Sequence, residues 1–180
     1  MLLHELIAAS AARTPDADAL QFRDEVWSYA TLHRKVSDFA ARLVGLGLRK
    51  TDRVAVFLDK RFEFVVSTFG AAAAGGVFVP VNPILKPAQV QHIMTDCNVR
   101  ILVTSAGRLS ALAEIVGDCP DLRHIVLTDG NAADFSFPGV DVLGWNDLSA
   151  TGAPHRSIDG DILAILYTSG STGRPKGVVL

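Results

Sequence analysis

Apolar residues recur along the chain with the spacing of helices in some segments and of buried strands in others. After Ser28 they are spaced by four, three, four and three residues, which predicts an amphipathic helix with Ser28 as its N-cap. The segment 53–58, which is apolar from Val54 onward, is typical of a buried strand. The same reasoning predicts helices at 2–12, at 60–74, from Pro87 and after Ser105, strands at 77–81, 100–104, 124–128 and 162–166, and a hairpin at 19–29.

Helices and strands alternate through most of the chain. This order predicts an α/β fold, with a mostly parallel, doubly wound sheet and helices on both faces. Residues 129–160 interrupt the alternation, because they are rich in Gly, Asp, Ser and Pro. We interpret 129–160 as an irregular surface connection, with one short helix near 145–149, inside a single unit that spans 1–180.

Composition excludes several classes of function. A net charge of −2 offers no electrostatic basis for binding nucleic acid or an anionic membrane. The uncharged run 64–85 has the length of a spanning helix, but Gly75, Gly76, Pro80 and Pro83 interrupt it, so we expect no integral membrane segment. Glu5 stands where a signal peptide would carry cations, so we expect a cytoplasmic protein. The two cysteines are predicted to be free thiols, and the five histidines have no metal-ligand spacing.

Residues 167–177, YTSGSTGRPKG, have the composition of a loop that wraps a phosphate. Glycines let backbone N–H groups converge on an anion, hydroxyls add short donors, and Arg174 and Lys176 add charge. Apolar runs precede and follow the loop, which places it between two strands. A second position, Asp59-Lys60-Arg61, follows a strand where α/β sheets often contact ligands, although a solvated helix start is favoured there.

The loop fits neither of the two common phosphate-binding patterns. A Walker loop requires Gly-Lys followed by a hydroxyl, whereas Lys176 follows Pro175 and precedes Gly177. A Rossmann fingerprint requires G-x-G-x-x-G at the start of a helix, and the glycine spacing here differs. Phosphate binding would therefore depend on backbone N–H groups, hydroxyls and Lys176 rather than on a helix dipole.

Three segments resemble motifs of one superfamily. The run YTSGSTGRPKGV at 167–178 is similar to the signature loop of adenylate-forming (AMP-binding) enzymes, which include acyl-CoA synthetases, the adenylation domains of peptide synthetases, and luciferases. WSYATL at 27–32 resembles the family's TYxEL motif, with Thr31 in place of the acid, and GGVFVPVNP at 75–83 resembles AGGxxVPxxP. The resemblance covers nearly the whole chain and implies the N-terminal part of the family's large domain.

The resemblance implies a two-step reaction and a set of ATP ligands. A carboxylate attacks the α-phosphate of Mg·ATP, and a thiol, usually coenzyme A, then accepts the acyl group. The loop would hold the β- and γ-phosphates, and Lys176 would be the catalytic charge that stabilises the transition state. Mg²⁺ and coenzyme A would be bound mainly by parts outside this chain. The implied ATP-binding residues are Thr168, Ser169, Gly170, Ser171, Thr172, Gly173 and Lys176.

Within the family, Asn82 favours a bacterial acyl-CoA ligase of the kind that serves fatty acid metabolism, because amino-acid adenylation domains more often have VPIDP at this position. An adenylation domain of a peptide synthetase remains an alternative, as does a non-catalytic module that binds a nucleotide or a partner. Because family elements for adenine, ribose and Mg²⁺ follow the signature loop, we expect a truncated enzyme whose partner is its own C-terminal part. We also expect the 180 residues alone to be inactive.

Overall fold

The fold is described from a computed structural model, which covers residues 1–168 and 174–180. The helices are α1 (Leu3–Arg13), α2 (Tyr29–Gly45), α3 (Phe62–Ala74), α4 (Pro87–Asp96) and α5 (Ala106–Val116), with a 3-10 turn at Ala132–Asp134. The strands are β1 (Asp18–Phe22), β2 (Glu25–Ser28), β3 (Arg53–Phe57), β4 (Val77–Pro80), β5 (Val99–Thr104), β6 (His124–Leu127), β7 (Asp141–Gly144), β8 (Ile165–Thr168) and β9 (Lys176–Val179).

Five parallel strands in the order β4-β3-β5-β6-β7 form the central sheet. Helices α1, α2 and α3 pack on one face, and α4 and α5 pack on the other. The predicted α/β fold, with helices on both faces of a parallel sheet, is therefore confirmed. Two antiparallel pairs, β1–β2 and β8–β9, stand beside this sheet.

Strand β3 shows why the segment 54–58 is apolar without interruption. Val54 and Val56 enter the core beneath α2 and α3, whereas Ala55 and Phe57 enter the core beneath α4 and α5. All four side chains are buried. A strand covered on both faces favours apolar residues at every position, so 54–58 shows no alternation of apolar and polar residues.

The predicted helix ends are confirmed where a cap could be read from the sequence. Ser28 Oγ accepts a hydrogen bond from the Thr31 amide at 3.3 Å. Ser105 Oγ accepts one from the Arg108 amide at 3.4 Å. Helix α3 ends at Gly75, whose φ of 86° lies in the left-handed region that glycine adopts without strain.

The interpretation of residues 129–160 requires correction. This segment contains β7, which pairs in parallel with β6 and completes the sheet at one edge. The short helix predicted near 145–149 is wrong, because the chain turns there, with the Asp147 amide bonded to the Gly144 carbonyl at 3.0 Å. Trp145 instead stacks on Phe39 of α2, with ring centroids 4.4 Å apart. This packing favours the turn over a helix.

The predicted strand at 162–166 begins later than expected. Leu163 and Ala164 precede β8, and they contact the edge of the central sheet: the Phe78 amide donates to the Leu163 carbonyl at 3.2 Å. Residues from Ile165 onward pair with β9 in an antiparallel ladder. Within residues 1–168 and 174–180, no helix is both long and apolar enough to span a membrane.

Candidate nucleotide-phosphate site

The signature loop lies between β8 and β9, as predicted. Thr168 is the last residue of β8 and Lys176 is the first residue of β9, and the two are register partners across the ladder. Both are exposed. The structure thus brings two of the predicted phosphate ligands together at the base of the loop. The other five lie outside the described residues: Ser169, Gly170, Ser171, Thr172 and Gly173.

Thr168, Arg174 and Lys176 at the base of the loop are exposed. Thr168 contributes a hydroxyl, and Lys176 contributes an ammonium group. In the part of the chain that the structure describes, no carboxylate forms an ion pair with Arg174 or Lys176. Two cations and a hydroxyl at one end of a hairpin fit the oxygens of a phosphate group.

Tyr167 lies just inside the base, and its hydroxyl donates to Asp96 Oδ2 at the end of α4, 2.5 Å away. Burial raises the pKa of Tyr167, and the hydrogen bond to Asp96 raises it further. The phenol therefore stays protonated at neutral pH and remains a donor. Its register partner is Gly177.

His92, also on α4, contacts the other side of the base. Its Nε2 lies 3.0 Å from the carbonyl oxygen of Pro175, the residue before β9. The His92 ring meets Tyr167 edge-on, with centroids 6.5 Å apart. Residues of α4 line an open groove of about 370 Å³ together with Arg174 and Pro175. Neither His92 nor Asp96 was predicted as a site residue; their spacing of four on one helix was the only signal available.

The two other resemblance motifs have structural explanations. In the segment 75–83, Gly75 closes α3, and a Cβ on Gly76 would lie 3.1 Å from the Asp52 carbonyl oxygen. Asn82 Oδ1 accepts from the Ile84 amide at 3.2 Å and forms an Asx turn.

In the segment 27–32, Trp27 stacks on Phe62 of α3 at 4.0 Å, while Ser28 caps α2. An acid at the third helical position would complete a capping box. Thr31 occupies that position, and its hydroxyl lies 3.4 Å from Ser28 Oγ. The substitution at Thr31 therefore changes a helix end rather than the phosphate site.

The segment Asp59-Lys60-Arg61 lies at the carboxyl end of β3. Arg108 of α5 binds both carboxylate oxygens of Asp59 at 2.8 Å. Arg61 pairs with Glu63 at 2.7 Å and with Asp129 at 3.3 Å. These charges are satisfied by one another, which agrees with the favoured interpretation of a helix start.

Metal and thiol chemistry find little support in this part of the chain. Among residues 1–168 and 174–180, no group of three His, Cys, Asp or Glu side chains could hold a metal ion. Thr168 and Lys176 at the base of the loop carry a hydroxyl and an ammonium group, neither of which is a typical Mg²⁺ ligand set by itself. Cys97 and Cys119 are free and buried, and burial raises the pKa of Cys119 to about 11.

Comparison with known proteins adds relatives of this chain. It is 33% identical over 182 residues to L-proline--[L-prolyl-carrier protein] ligase of Pseudomonas fluorescens, covering 99% of this chain and 34% of that protein. It is 30% identical over 179 residues to surfactin synthase subunit 2 of Bacillus subtilis, covering 99% of this chain and 5% of that protein. The chain thus spans 34% or less of the length of these relatives.

Solved structures have the same fold. MbtA of Mycobacterium smegmatis, in its apo form, is 32% identical with a TM-score of 0.87, and the match covers 99% of this chain and 33% of MbtA. The anthranilate CoA ligase AuaEII, in complex with anthranoyl-AMP, is 27% identical with a TM-score of 0.87, over 99% of this chain and 34% of the ligase.

A family model described as AMP-binding enzyme matches residues 7–180, which is nearly the whole chain. The match includes the segments that resemble the family's motifs, from the Ser28 cap to the loop between β8 and β9. The fold likewise corresponds to the N-terminal domain of adenylate-forming enzymes. The chain belongs to the AMP-binding family of adenylate-forming enzymes.

Proposed function

We propose that this chain is the ATP-phosphate-binding part of an acid–thiol ligase that adenylates a carboxylate and passes the acyl group to coenzyme A. The observation that carries the proposal is the pairing of exposed Thr168 and Lys176 across the β8–β9 ladder, at the base of a loop rich in glycine and hydroxyls. Register partners are neighbours across an antiparallel pair, so this pairing places a hydroxyl residue and a cationic residue side by side. The polyphosphate of ATP is the ligand of the family that matches such donors.

The reaction assigns each group a role. A carboxylate oxygen attacks the α-phosphorus of ATP, the bond from that phosphorus to the bridging oxygen breaks, and pyrophosphate leaves with the electron pair. Lys176 stabilises the charge that grows on the leaving pyrophosphate, and Thr168 donates a hydrogen bond to it. Mg²⁺ would be held mainly by parts of the enzyme outside this chain and would supply further neutralisation of phosphate charge. In the second step a thiolate attacks the acyl carbonyl and AMP leaves.

Coenzyme A is the acceptor that we favour, since the VPVNP segment resembles that of acyl-CoA ligases and AuaEII is a CoA ligase of the same fold. A carrier-protein thiol is the second candidate. It is favoured by the similarity to a prolyl-carrier protein ligase and to surfactin synthase. The side chain of Asn82 makes a local turn, so its chemistry does not by itself decide between the two acceptors.

ATP–pyrophosphate exchange by the complete gene product tests the first step. The panel of acids includes aliphatic carboxylates, aromatic carboxylates and amino acids, and exchange with at least one acid is expected. Thioester formation is then measured with coenzyme A and, in parallel, with a phosphopantetheinyl carrier protein. Transfer only to the carrier protein would replace coenzyme A as the acceptor. Absence of exchange with every acid would favour a non-catalytic module.

The 180-residue chain by itself provides an internal control for the same assay. We expect no exchange from it, because the resemblance to the family implies that the elements for adenine, ribose and Mg²⁺ follow the signature loop. Exchange by the chain alone would show that these residues are sufficient for adenylation, and our division of the active site would then be wrong.

A further inference from the structure

Helix α4 contacts both ends of the phosphate loop through side chains one helical turn apart. Asp96 accepts the hydroxyl hydrogen of Tyr167, which stands one residue before the end of β8. His92 Nε2 lies 3.0 Å from the Pro175 carbonyl, one residue before β9. A carbonyl oxygen only accepts hydrogen bonds, so His92 Nε2 carries the proton. One rigid element thus binds the strand that enters the loop and the segment that leaves it.

The rest of α4 makes this helix a firm support. Val90, Ile93 and Met94 are at most 1% exposed and lie in the core between α4 and the central sheet. Residues three and four apart share a helix face, so His92 and Asp96 project together from a side of α4 that the core does not occupy. Movement of either side chain away from the hairpin would require a rotamer change or a displacement of buried residues.

Tyr167 is partly buried between α4 and β9. Its ring faces His92 on one side, and its register partner Gly177 leaves room for it on the other. Burial and the contact with Asp96 keep the pKa of the phenol above its ordinary value. The hydroxyl therefore remains a donor across the pH range in which such enzymes work.

We propose that His92, Asp96 and Tyr167 form an anchor, the α4 anchor, that sets the separation and register of Thr168 and Lys176 for binding the phosphates of ATP. The three are positioning residues, because they act through the backbone of the hairpin and not by touching the nucleotide. This inference rests on the proposed function. It goes beyond it by assigning a role to a helix that contains no resemblance motif.

The experiment compares two substitutions with matched controls in the complete gene product. Tyr167→Phe removes the hydroxyl and keeps the ring, and its control is Tyr29→Phe, which alters the chain's only other tyrosine. His92→Leu removes the ring N–H, and its control is His33→Leu on the exposed face of α2. His92→Gln is the rescue variant, since its amide N–H can reach the same carbonyl.

Two quantities are measured. The kcat/KM for ATP in pyrophosphate exchange should fall roughly tenfold to a hundredfold in Tyr167→Phe and His92→Leu, because Thr168 and Lys176 would be misplaced relative to the phosphates. The KM for the carboxylate should stay within about twofold. Hydrogen exchange of the β8 and β9 amides, followed without ATP, should accelerate in the same two variants. The controls should change neither quantity, and His92→Gln should recover most of the loss.

The outcomes separate the inference from the function beneath it. Unchanged amide exchange in β8 and β9 would overturn the anchor. Faster exchange with unchanged kinetics for ATP, or an equal loss for ATP and carboxylate, would overturn its role in positioning. If the unaltered protein shows no pyrophosphate exchange, the proposed function fails and the positioning role fails with it. The amide measurement then still reports whether α4 holds the hairpin.

Discussion

Tyr167 and Gly177 face each other across the β8–β9 ladder, so closely that the glycine has no room for a side chain. A Cβ on Gly177 would lie 3.1 Å from Tyr167 Cζ and 2.8 Å from Ile165 Cγ2. The last glycine of the signature segment therefore makes space for the ring that is bonded to Asp96. This glycine serves packing, whereas the composition of 167–177 predicted only that its glycines belong to a phosphate-binding loop.

Gly177→Ala should destabilise the chain by roughly 1–3 kcal/mol, because the added methyl group overpacks the space beside Tyr167. Urea unfolding measures the change. Gly107→Ala is the matched control: it lies inside α5, and a Cβ there meets no atom within 4 Å. That control should be neutral or stabilising by up to about 1 kcal/mol. Equal behaviour of the two variants would contradict the close approach of Tyr167.

Lys176→Ala should lower kcat for ATP-dependent adenylation by roughly a hundredfold or more, because it removes a charge aimed at the leaving pyrophosphate. Its stability should hardly change, since the side chain is exposed and Lys176 forms no ion pair among the described residues. Lys86→Ala, an exposed lysine before α4, is the control for loss of charge. Kinetics and thermal unfolding of the complete gene product are compared. A large drop in thermal stability would assign Lys176 a structural role instead.

Gly75→Ala should cost at least about 1 kcal/mol, because φ at this position is positive and a side chain in the left-handed region is strained. The methyl group would also lie 2.8 Å from His155 Cβ. Gly117→Ala, after α5, tests the same kind of helix end where φ is −63° and the surrounding space is open. Denaturation midpoints should fall only for Gly75→Ala. A neutral Gly75→Ala would show that the end of α3 relaxes freely.

Acidification should destabilise the chain partly through His124. Burial, followed by the effect of nearby Arg100, lowers the pKa of this histidine below its ordinary value, although Asp141, 3.4 Å away, opposes the shift. The unfolded chain therefore takes up the proton more readily. The stability from neutral His124 is present above the unfolded pKa of about 6.5 and is lost as pH falls through the lower folded value.

Urea midpoints at pH 7.5 and pH 5.5 measure this effect. The loss between the two pH values should be smaller in His124→Gln than in the unaltered chain. It should not vanish, because burial also lowers the pKa of His4. An identical loss in both proteins would mean that other groups carry the pH dependence.

Local signals in the sequence were sufficient for most of the scaffold. The spacing of apolar residues in α2, the caps at Ser28 and Ser105, and the glycine after α3 all act within a few residues of one another. Strand β7 was not predicted, because its local signal is weak. It has four residues, its pairing partner is β6, and its apolar content is too small to display a period.

The site was predictable only in part. The signature loop could be recognised because its composition is unusual and continuous, but the contacts of His92 and Asp96 join positions 83 and 71 residues apart. Nothing local distinguishes those side chains from other polar residues on a helix surface. Asn82 is the opposite case, a residue with a clear sequence signal and a purely local contact. Its motif favoured coenzyme A as the acceptor, yet its oxygen accepts from the Ile84 amide, a bond that an aspartate oxygen could also make.

The pairing of Arg108 with Asp59 bears on which part of the fold is available to a ligand. In a doubly wound sheet, ligands commonly bind where neighbouring strands lead to helices on opposite faces, here the carboxyl ends of β3 and β5. That crevice is bridged by the chain's own charges, while the phosphate loop stands on a separate hairpin. We therefore expect substitutions at the base of the loop to leave the five-stranded sheet intact, so that the residues for phosphate chemistry can change without loss of the scaffold.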